Sequence, residues 1–338
     1  MIKKQWLLIV LCMAVSVMAE FHSAYFFGCS TTDQFAALPE ILVGSGDSVE
    51  FHKHCVPGCG MQCLWELGGG VPADFRGKSW YCMCVAPFKN GMELGVNYDV
   101  KYISYWYDVA LQSNPDCILY VFSMYAGRDW GQTWDQAWNS VLDTTEAGYA
   151  QPYGSEDYQY MMVNALRAKY PGKKVYMMGV AHVMNAFQQA PFPGFSGAFG
   201  LYADDIHLNK YGQYLQNLTA YATIWRKHPA SAGTYFKGGY GDNGQIKPDF
   251  AALAKNLVWN TVSSSALTGY TGVSGGSVAV ALPASAVTPV RQAGISYSLF
   301  TIDGRNVLSV AGEGRKGGNP AGVYVITRDG LRAAQVSR

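Results

Sequence analysis

Two segments of the chain combine residues that could attack a carbonyl and move a proton. The first is Phe26-Phe27-Gly28-Cys29-Ser30-Thr31-Thr32-Asp33, an apolar, β-prone run that breaks at Gly28 into residues favoured at helix starts. The second is Leu201-Tyr202-Ala203-Asp204-Asp205-Ile206-His207-Leu208-Asn209, just ahead of a long helical stretch. Asp204 and His207 stand three apart, so in a turn the carboxylate can lie beside the imidazole, orient it and support its positive charge. The second ring nitrogen then faces outward as a base. Ser30 is the hydroxyl best placed to meet it, with helix N-terminal amides close by for a developing oxyanion. Taken singly, each segment has a plainer reading: a serine after a strand-ending glycine caps helices, and Asp-x-x-His caps turns. At opposite ends of one strand–helix chain, the pair becomes specific.

That meeting depends on the elements in between. Five β-rich runs, Ala24–Gly28, Val49–Val56, Trp80–Val85, Cys117–Ser123 and Lys174–Val180, are not strictly alternating, as expected of strands covered on both faces. Helical candidates separate and follow them: Asp33–Leu42, Tyr98–Ser113, Tyr158–Lys169, Lys210–Lys227 and Phe250–Val262. Strand–helix alternation implies right-handed crossovers and an open parallel α/β sheet with its crevice at the strands' carboxyl ends. Ser30 and His207 would both belong there. Residues 272–290 are small and Pro-bearing and read as a linker. Residues 291–338 change character: β-branched runs around Asp303-Gly304 and Asp329-Gly330 predict hairpins in a small antiparallel β domain.

Composition narrows the field further. The chain has 338 residues, of which 49 % are hydrophobic and 14 % charged, enough to bury a large core. Lys and Arg (25) almost cancel Asp and Glu (24), so there is no basic excess to neutralise phosphates and nucleic acid is excluded as a partner. Residues 1–19 have a basic start (Lys3-Lys4), an apolar run and Met18-Ala19 at the end, which reads as a secretory signal cut after Ala19. The expected location is therefore secreted or at the cell surface. Past that segment no apolar run is long enough to span a bilayer. Seven cysteines remain after the cut. Cys55, Cys59 and Cys63 are spaced by four but straddle Pro57, Gly58 and Gly60, and no Cys-x-x-Cys or His-x-x-x-His completes a zinc site. Buried small hydrophobes with one disulfide is the expectation, and no metal site is assigned.

From about Ala24 to Trp225 the chain resembles the SGNH (GDSL-like) hydrolases. GCSTTDQFAALPEIL is similar to that family's first block and helix, VPGCG to its second block, and LYADDIHLNKYGQYL to its last block and closing helix. The resemblance implies a flavodoxin-like three-layer α/β/α sandwich in residues 20–271. It makes Ser30 the nucleophile, His207 the base and Asp204 its partner, with the amides of Ser30 and Gly60 (or Gly58) as the oxyanion hole. It also implies a carboxylic-ester hydrolase that deacylates a small acyl ester, such as an acylated polysaccharide, with no cofactor. Two departures stand out: Cys29 replaces the usual acidic or amide residue before the serine, and after the third strand the nearest asparagine, Asn90, is out of register. They motivate an alternative, a catalytically weak or inactive surface protein that grips glycans. Residues 291–338, with FTIDGRNVL and PAGVYVI, resemble the C-terminal sorting domain of type IX secretion substrates, which implies a contact with secretion machinery.

Other residues receive lesser roles. Gly46-Asp47-Ser48 spells the start of the family's eponymous motif, yet follows the first helix and leads into the second strand, so it reads as a turn. Arg128 and Trp130 follow the fourth strand and are expected to line the substrate crevice. Trp134 and Trp138 are helically spaced and are expected in the core, while His182 follows the fifth strand beside the crevice and is expected to be a structural histidine. Specificity is expected in the loops 64–78 and 127–154. The Asn217-Leu218-Thr219 sequon falls in a helix and is discounted.

Overall fold

The computed structural model describes residues 19–87, 96–138, 156–237 and 243–270, together with four short strands beyond residue 296. In chain order the larger unit contains β1 (Phe21–Gly28), α1 (Ser30–Asp33), α2 (Leu38–Leu42), β2 (Ser48–Cys55), α3 (Met61–Leu67), β3 (Cys82–Val85), α4 (Val96–Ser113), β4 (Ile118–Phe122), α5 (Trp134–Trp138) and α6 (Glu156–Lys169). It continues with β5 (Val175–Met178), α7 (Val180–Gln189), α8 (Lys210–Trp225), a small antiparallel pair of β6 (Tyr235–Lys237) with β7 (Asn243–Gln245), and α9 (Pro248–Ser264). Strands β1 to β5 form one parallel sheet in the order β2-β1-β3-β4-β5, the flavodoxin-like order expected.

Side-chain alternation along the strands divides the core into two halves. Ala24, Phe26, Cys82, Cys84, Tyr120 and Phe122 point to one face and pack with residues of α2, α7, α8 and α9. Tyr25, Phe27, Met83, Val85, Leu119 and Val121 point to the other and pack with α3, α4 and α6. Both faces being covered, β1 from Ala24 onward, β3 and β4 are wholly buried, which explains their unbroken apolar runs. β2 differs from that expectation. It is an edge strand whose residues are only half-buried, and it carries Glu50, His52 and Lys53 to the surface.

The first helical stretch is not one helix. It runs as α1, a 3-10 turn over Gln34–Ala37, and α2, in which Pro39 stands in the first turn, where the missing N–H is tolerated. Two helices lie where the sequence reading placed none. α7 begins directly after β5, and its buried Val180, Ala181, Val183, Met184 and Phe187 follow helical spacing. α3 takes the first four residues of the expected loop 64–78, and Cys59 and Cys63, the latter inside it, form a disulfide.

In the smaller unit, Tyr297–Phe300 (β8) pairs antiparallel with Asn306–Val310 (β9), and Tyr324–Thr327 (β10) with Gly330–Ala333 (β11). Asp303, Gly304 and Asp329 lie outside the described residues. The expected export signal up to Met18, Asn90, residues 139–154 of the expected specificity loop and the expected linker 272–290 lie outside the described residues. Among the described residues no helix is long and apolar enough to cross a membrane.

Candidate active site

Every side chain of the expected triad stands at the carboxyl end of the sheet. β1 ends at Gly28, and a Cβ there would overlap the Thr32 hydroxyl and the Ala86 methyl, so only glycine lets α1 fold back this tightly. Cys29 is the residue before α1, and the amides of Thr32 and Asp33 donate to its carbonyl at 2.9 and 3.3 Å. Ser30 is therefore the first residue of α1. It is 9 % exposed, and its N–H has no intrahelical acceptor.

His207 comes from the loop between the 3-10 turn Ala198–Leu201 and α8. Tyr202 and Leu208 form an isolated antiparallel bridge across that loop, and the Ala203 amide donates to the His207 carbonyl at 2.8 Å. Within this knot Asp204 does two jobs. Its Oδ1 accepts the amides of Ile206 and His207 at 2.9 and 2.6 Å, and its Oδ2 lies 2.8 Å from His207 Nδ1. A carboxylate only accepts, so Nδ1 carries the proton and Nε2 presents its lone pair. That Nε2 is 2.8 Å from Ser30 Oγ. Serine, imidazole and carboxylate thus line up as donor, relay and acceptor, although 177 residues separate the first two.

The electrostatics suit a proton relay. Partial burial pushes the Asp204 carboxyl pKa up, but the two amides and the imidazole outweigh it and bring the value down to about 2. The carboxylate is therefore charged at any working pH. Exposure rises along the line, from the buried serine to a histidine side chain 16 % exposed and an aspartate 55 % exposed. Cys29 is buried, its Sγ is 3.2 Å from Thr31 Oγ1, and burial pushes its thiol pKa up, so it offers no thiolate beside Ser30. Cys55, similarly raised by burial, is no thiolate either.

Gly60, the second expected oxyanion donor, directly precedes α3 and follows β2. As β2 runs parallel beside β1, Gly60 stands at the same end of the sheet as Ser30. Arg128 opens a 3-10 turn over Arg128–Trp130. Its amide donates to the Asp205 carbonyl at 2.7 Å while its side chain is exposed, so the loop after β4 is fastened to the histidine loop. Tyr202 Oη adds a second fastening to the Ala126 carbonyl. The Trp130 side chain lies outside what is described. Trp134 and Trp138 are buried and stacked, as expected of core residues, and His182 lies 3.4 Å from Ser123 Oγ against the edge of Trp138.

Sequence reasoning missed a buried polar frame behind the triad. Gln34 is fully buried: its Nε2 donates to the Leu208 carbonyl at 3.0 Å, and its Oε1 accepts the Leu208 amide at 3.3 Å and Tyr125 Oη at 2.7 Å. It therefore clamps both sides of the residue after His207. The inner face of α8 supplies the rest. Gln213 Nε2 also reaches the Leu208 carbonyl at 2.8 Å, Gln216 Nε2 the Thr31 carbonyl at 3.0 Å, and Asn217 Nδ2 the Gln34 carbonyl at 2.8 Å. Gln213, Gln216 and Asn217 at i, i+3 and i+4 on one face of this long helix were the visible signal. Asn217, fully buried, is closed to glycosylation.

No family model and no curated protein matches the chain. Several solved structures do resemble it. A DUF4886 family protein from Bacteroides uniformis is 13 % identical, with 72 % of this chain and 95 % of that one covered at a TM-score of 0.49. A member of the lipolytic G-D-S-L family from Veillonella parvula is 14 % identical (62 % and 100 % covered, TM-score 0.40). A lipase/acylhydrolase from Enterococcus faecalis is 12 % identical (62 % and 98 % covered, TM-score 0.38). The chemistry of the crevice is read from its own side chains.

Proposed function

We propose that the chain is an exported serine esterase that removes a small acyl group from an alcohol, with an acylated polysaccharide as the carrier. The observation that carries this reading is the 2.8 Å approach of His207 Nε2 to Ser30 Oγ, with Asp204 at 2.8 Å behind the ring. Ser30 Oγ attacks the ester carbonyl as its proton passes to Nε2. The carbonyl oxygen becomes an oxyanion, for which the amides of Ser30 and Gly60 are the donors. Collapse of the tetrahedral adduct expels the alcohol, which takes the proton from His207 and leaves an acyl-Ser30 ester. Water then attacks that ester, again giving its proton to Nε2, and His207 returns that proton to Ser30 Oγ as the bond to Oγ breaks and the acid leaves. Asp204, charged throughout, holds the ring in one tautomer and offsets the imidazolium.

Nitrophenyl acetate tests the reading directly. The chain should release nitrophenol, and Ser30→Ala should reduce kcat by about 10⁴-fold or more. Undiminished turnover by Ser30→Ala removes Ser30 from this role. Release of acetate from an acetylated polysaccharide, lost in the same variant, tests the carrier.

A further inference from the structure

Three donors converge on Asp47, a buried carboxylate outside the proposed site. Asp47 sits in the turn before β2 with its side chain 2 % exposed. The Glu20 backbone nitrogen donates to Oδ1 at 2.8 Å, Lys227 Nζ lies 3.0 Å from the same oxygen, and Tyr221 Oη donates to Oδ2 at 2.8 Å. Lys227 Nζ also lies 3.5 Å from Glu20 Oε1, and His22 Nε2 lies 3.5 Å from Glu20 Oε2. Burial pulls the His22 pKa down, against the pull of Glu20 and Asp47, so it adds no charge at neutral pH. The cluster therefore sets two carboxylates, Asp47 and Glu20, against a single ammonium, Lys227.

We propose that the chain is cut between Ala19 and Glu20 and that Asp47 holds the α-ammonium group the cut creates. The proposal rests on the reading of residues 1–19 as an export signal. Water adds across the Ala19–Glu20 peptide bond. Ala19 leaves as a carboxylate, and the Glu20 nitrogen becomes an ammonium at the position from which it already donates to Asp47. The cutting enzyme is a membrane leader peptidase, which cleaves after small residues. Ala19 and Glu20 are both exposed, so the bond is open to attack. After the cut the cluster holds two charges of each sign. The Glu20 carbonyl is meanwhile fixed by the Ser48 amide at 3.0 Å and Trp225 Nε1 at 3.3 Å. Both sides of Glu20 are thus fastened, and β1 is pinned at the end opposite Ser30.

The two halves of the proposal have separate tests. Intact-mass measurement of the chain recovered after export should give Glu20 as the first residue, and any other start overturns the assigned cut. For the Asp47 contact, chains beginning at Glu20 and at Ala19, each released from a fusion without extra residues, are melted at neutral pH. The Ala19 chain should melt about 2–4 °C lower, and that gap should vanish in Asp47→Asn. Equal melting temperatures, or a gap that persists in Asp47→Asn, overturn the contact. Should Asp47→Asn fail to fold, Lys227→Met serves: with the competing cation gone, the gap must widen, and an unchanged gap overturns the proposal. Loss of esterase turnover in either chain bears on the triad and leaves this test untouched.

Discussion

Gly28-Cys29-Ser30 and Gly46-Asp47-Ser48 are near-copies, each a glycine, one residue and a serine beside a strand, yet they lie at opposite ends of one parallel sheet. Ser30 follows the carboxyl end of β1, whereas Ser48 opens β2 and pairs in register with Phe21 at the start of β1. In a parallel sheet the carboxyl ends share one rim, where helix starts and returning loops converge, so a hydroxyl there meets His207. At the other rim the Ser48 amide is taken up by the Glu20 carbonyl, and Asp47 by Lys227, Tyr221 and the Glu20 amide. The second tripeptide is the better spelling of a hydrolase motif and has the wrong address. Whether strand precedes serine or serine precedes strand decides the outcome.

Removing each hydroxyl in turn separates the two rims by the largest margin. Ser30→Ala should lose about 10⁴-fold or more in kcat on nitrophenyl acetate, while Ser48→Ala stays within about twofold. Equal losses would end the distinction. Gly28→Ala comes next. The added methyl collides with Thr32 and Ala86, so the turn must open and carry Ser30 away from His207. Turnover should fall by about 10²-fold with a stability loss of about 1–3 kcal/mol, read by nitrophenol release and urea unfolding. The corresponding Gly46 has φ +78 and open space around it, so Gly46→Ala should cost stability alone, through backbone strain.

The contrast also shows which parts of the molecule a sequence can reveal. The triad was legible because serine, histidine and aspartate act through their own side-chain chemistry, because strand polarity sends Ser30 to the carboxyl rim, and because the family resemblance pairs it with the Asp204–His207 segment. Strand–helix alternation implied an open parallel sheet, and the family resemblance implied the flavodoxin-like order that β2-β1-β3-β4-β5 matches. Gln34 was not legible: it acts through the backbone of Leu208, and any glutamine in a first turn could as well face water. Gln213, Gln216 and Asn217 gain meaning only once α8 lies against Thr31 and Gln34. α7 was hidden because Val180 extends the apolar run of β5 while starting a new helical period. Asp47 was read as a turn residue, since nothing local announces that Tyr221 and Lys227 return to it.

Gln34 tests whether the catalytic rim depends on that hidden frame. Gln34→Leu keeps the bulk but drops both bonds to Leu208, which frees the His207 loop to shift. The expected result is a kcat lower by about tenfold with KM for nitrophenyl acetate little changed, and partial rescue by Gln34→Glu, which keeps an acceptor for the Leu208 amide and Tyr125. A matched fall in stability with kcat intact would make Gln34 a core residue only.

The smallest expected effect on turnover belongs to Asp47, where the comparison turns on acid stability. Burial raises the Asp47 pKa, but the Glu20 amide, Lys227 and Tyr221 outweigh it, so the folded value lies below that of the unfolded chain. A depressed carboxyl stabilises the fold above its unfolded pKa, and that contribution drains away as pH falls through the folded value. Below about pH 4, then, the unfolded chain binds this proton first, and part of the acid unfolding is driven from the rim opposite the triad. Asp47→Asn, which cannot titrate, should be less stable at pH 7 by about 2 kcal/mol and should show a shallower loss of stability from pH 4 downward. Its turnover per folded molecule should match the parent. An acid profile with the parent's slope would mean that Asp47 is not held charged by its three donors, and the second tripeptide would lose the role that separates it from the first.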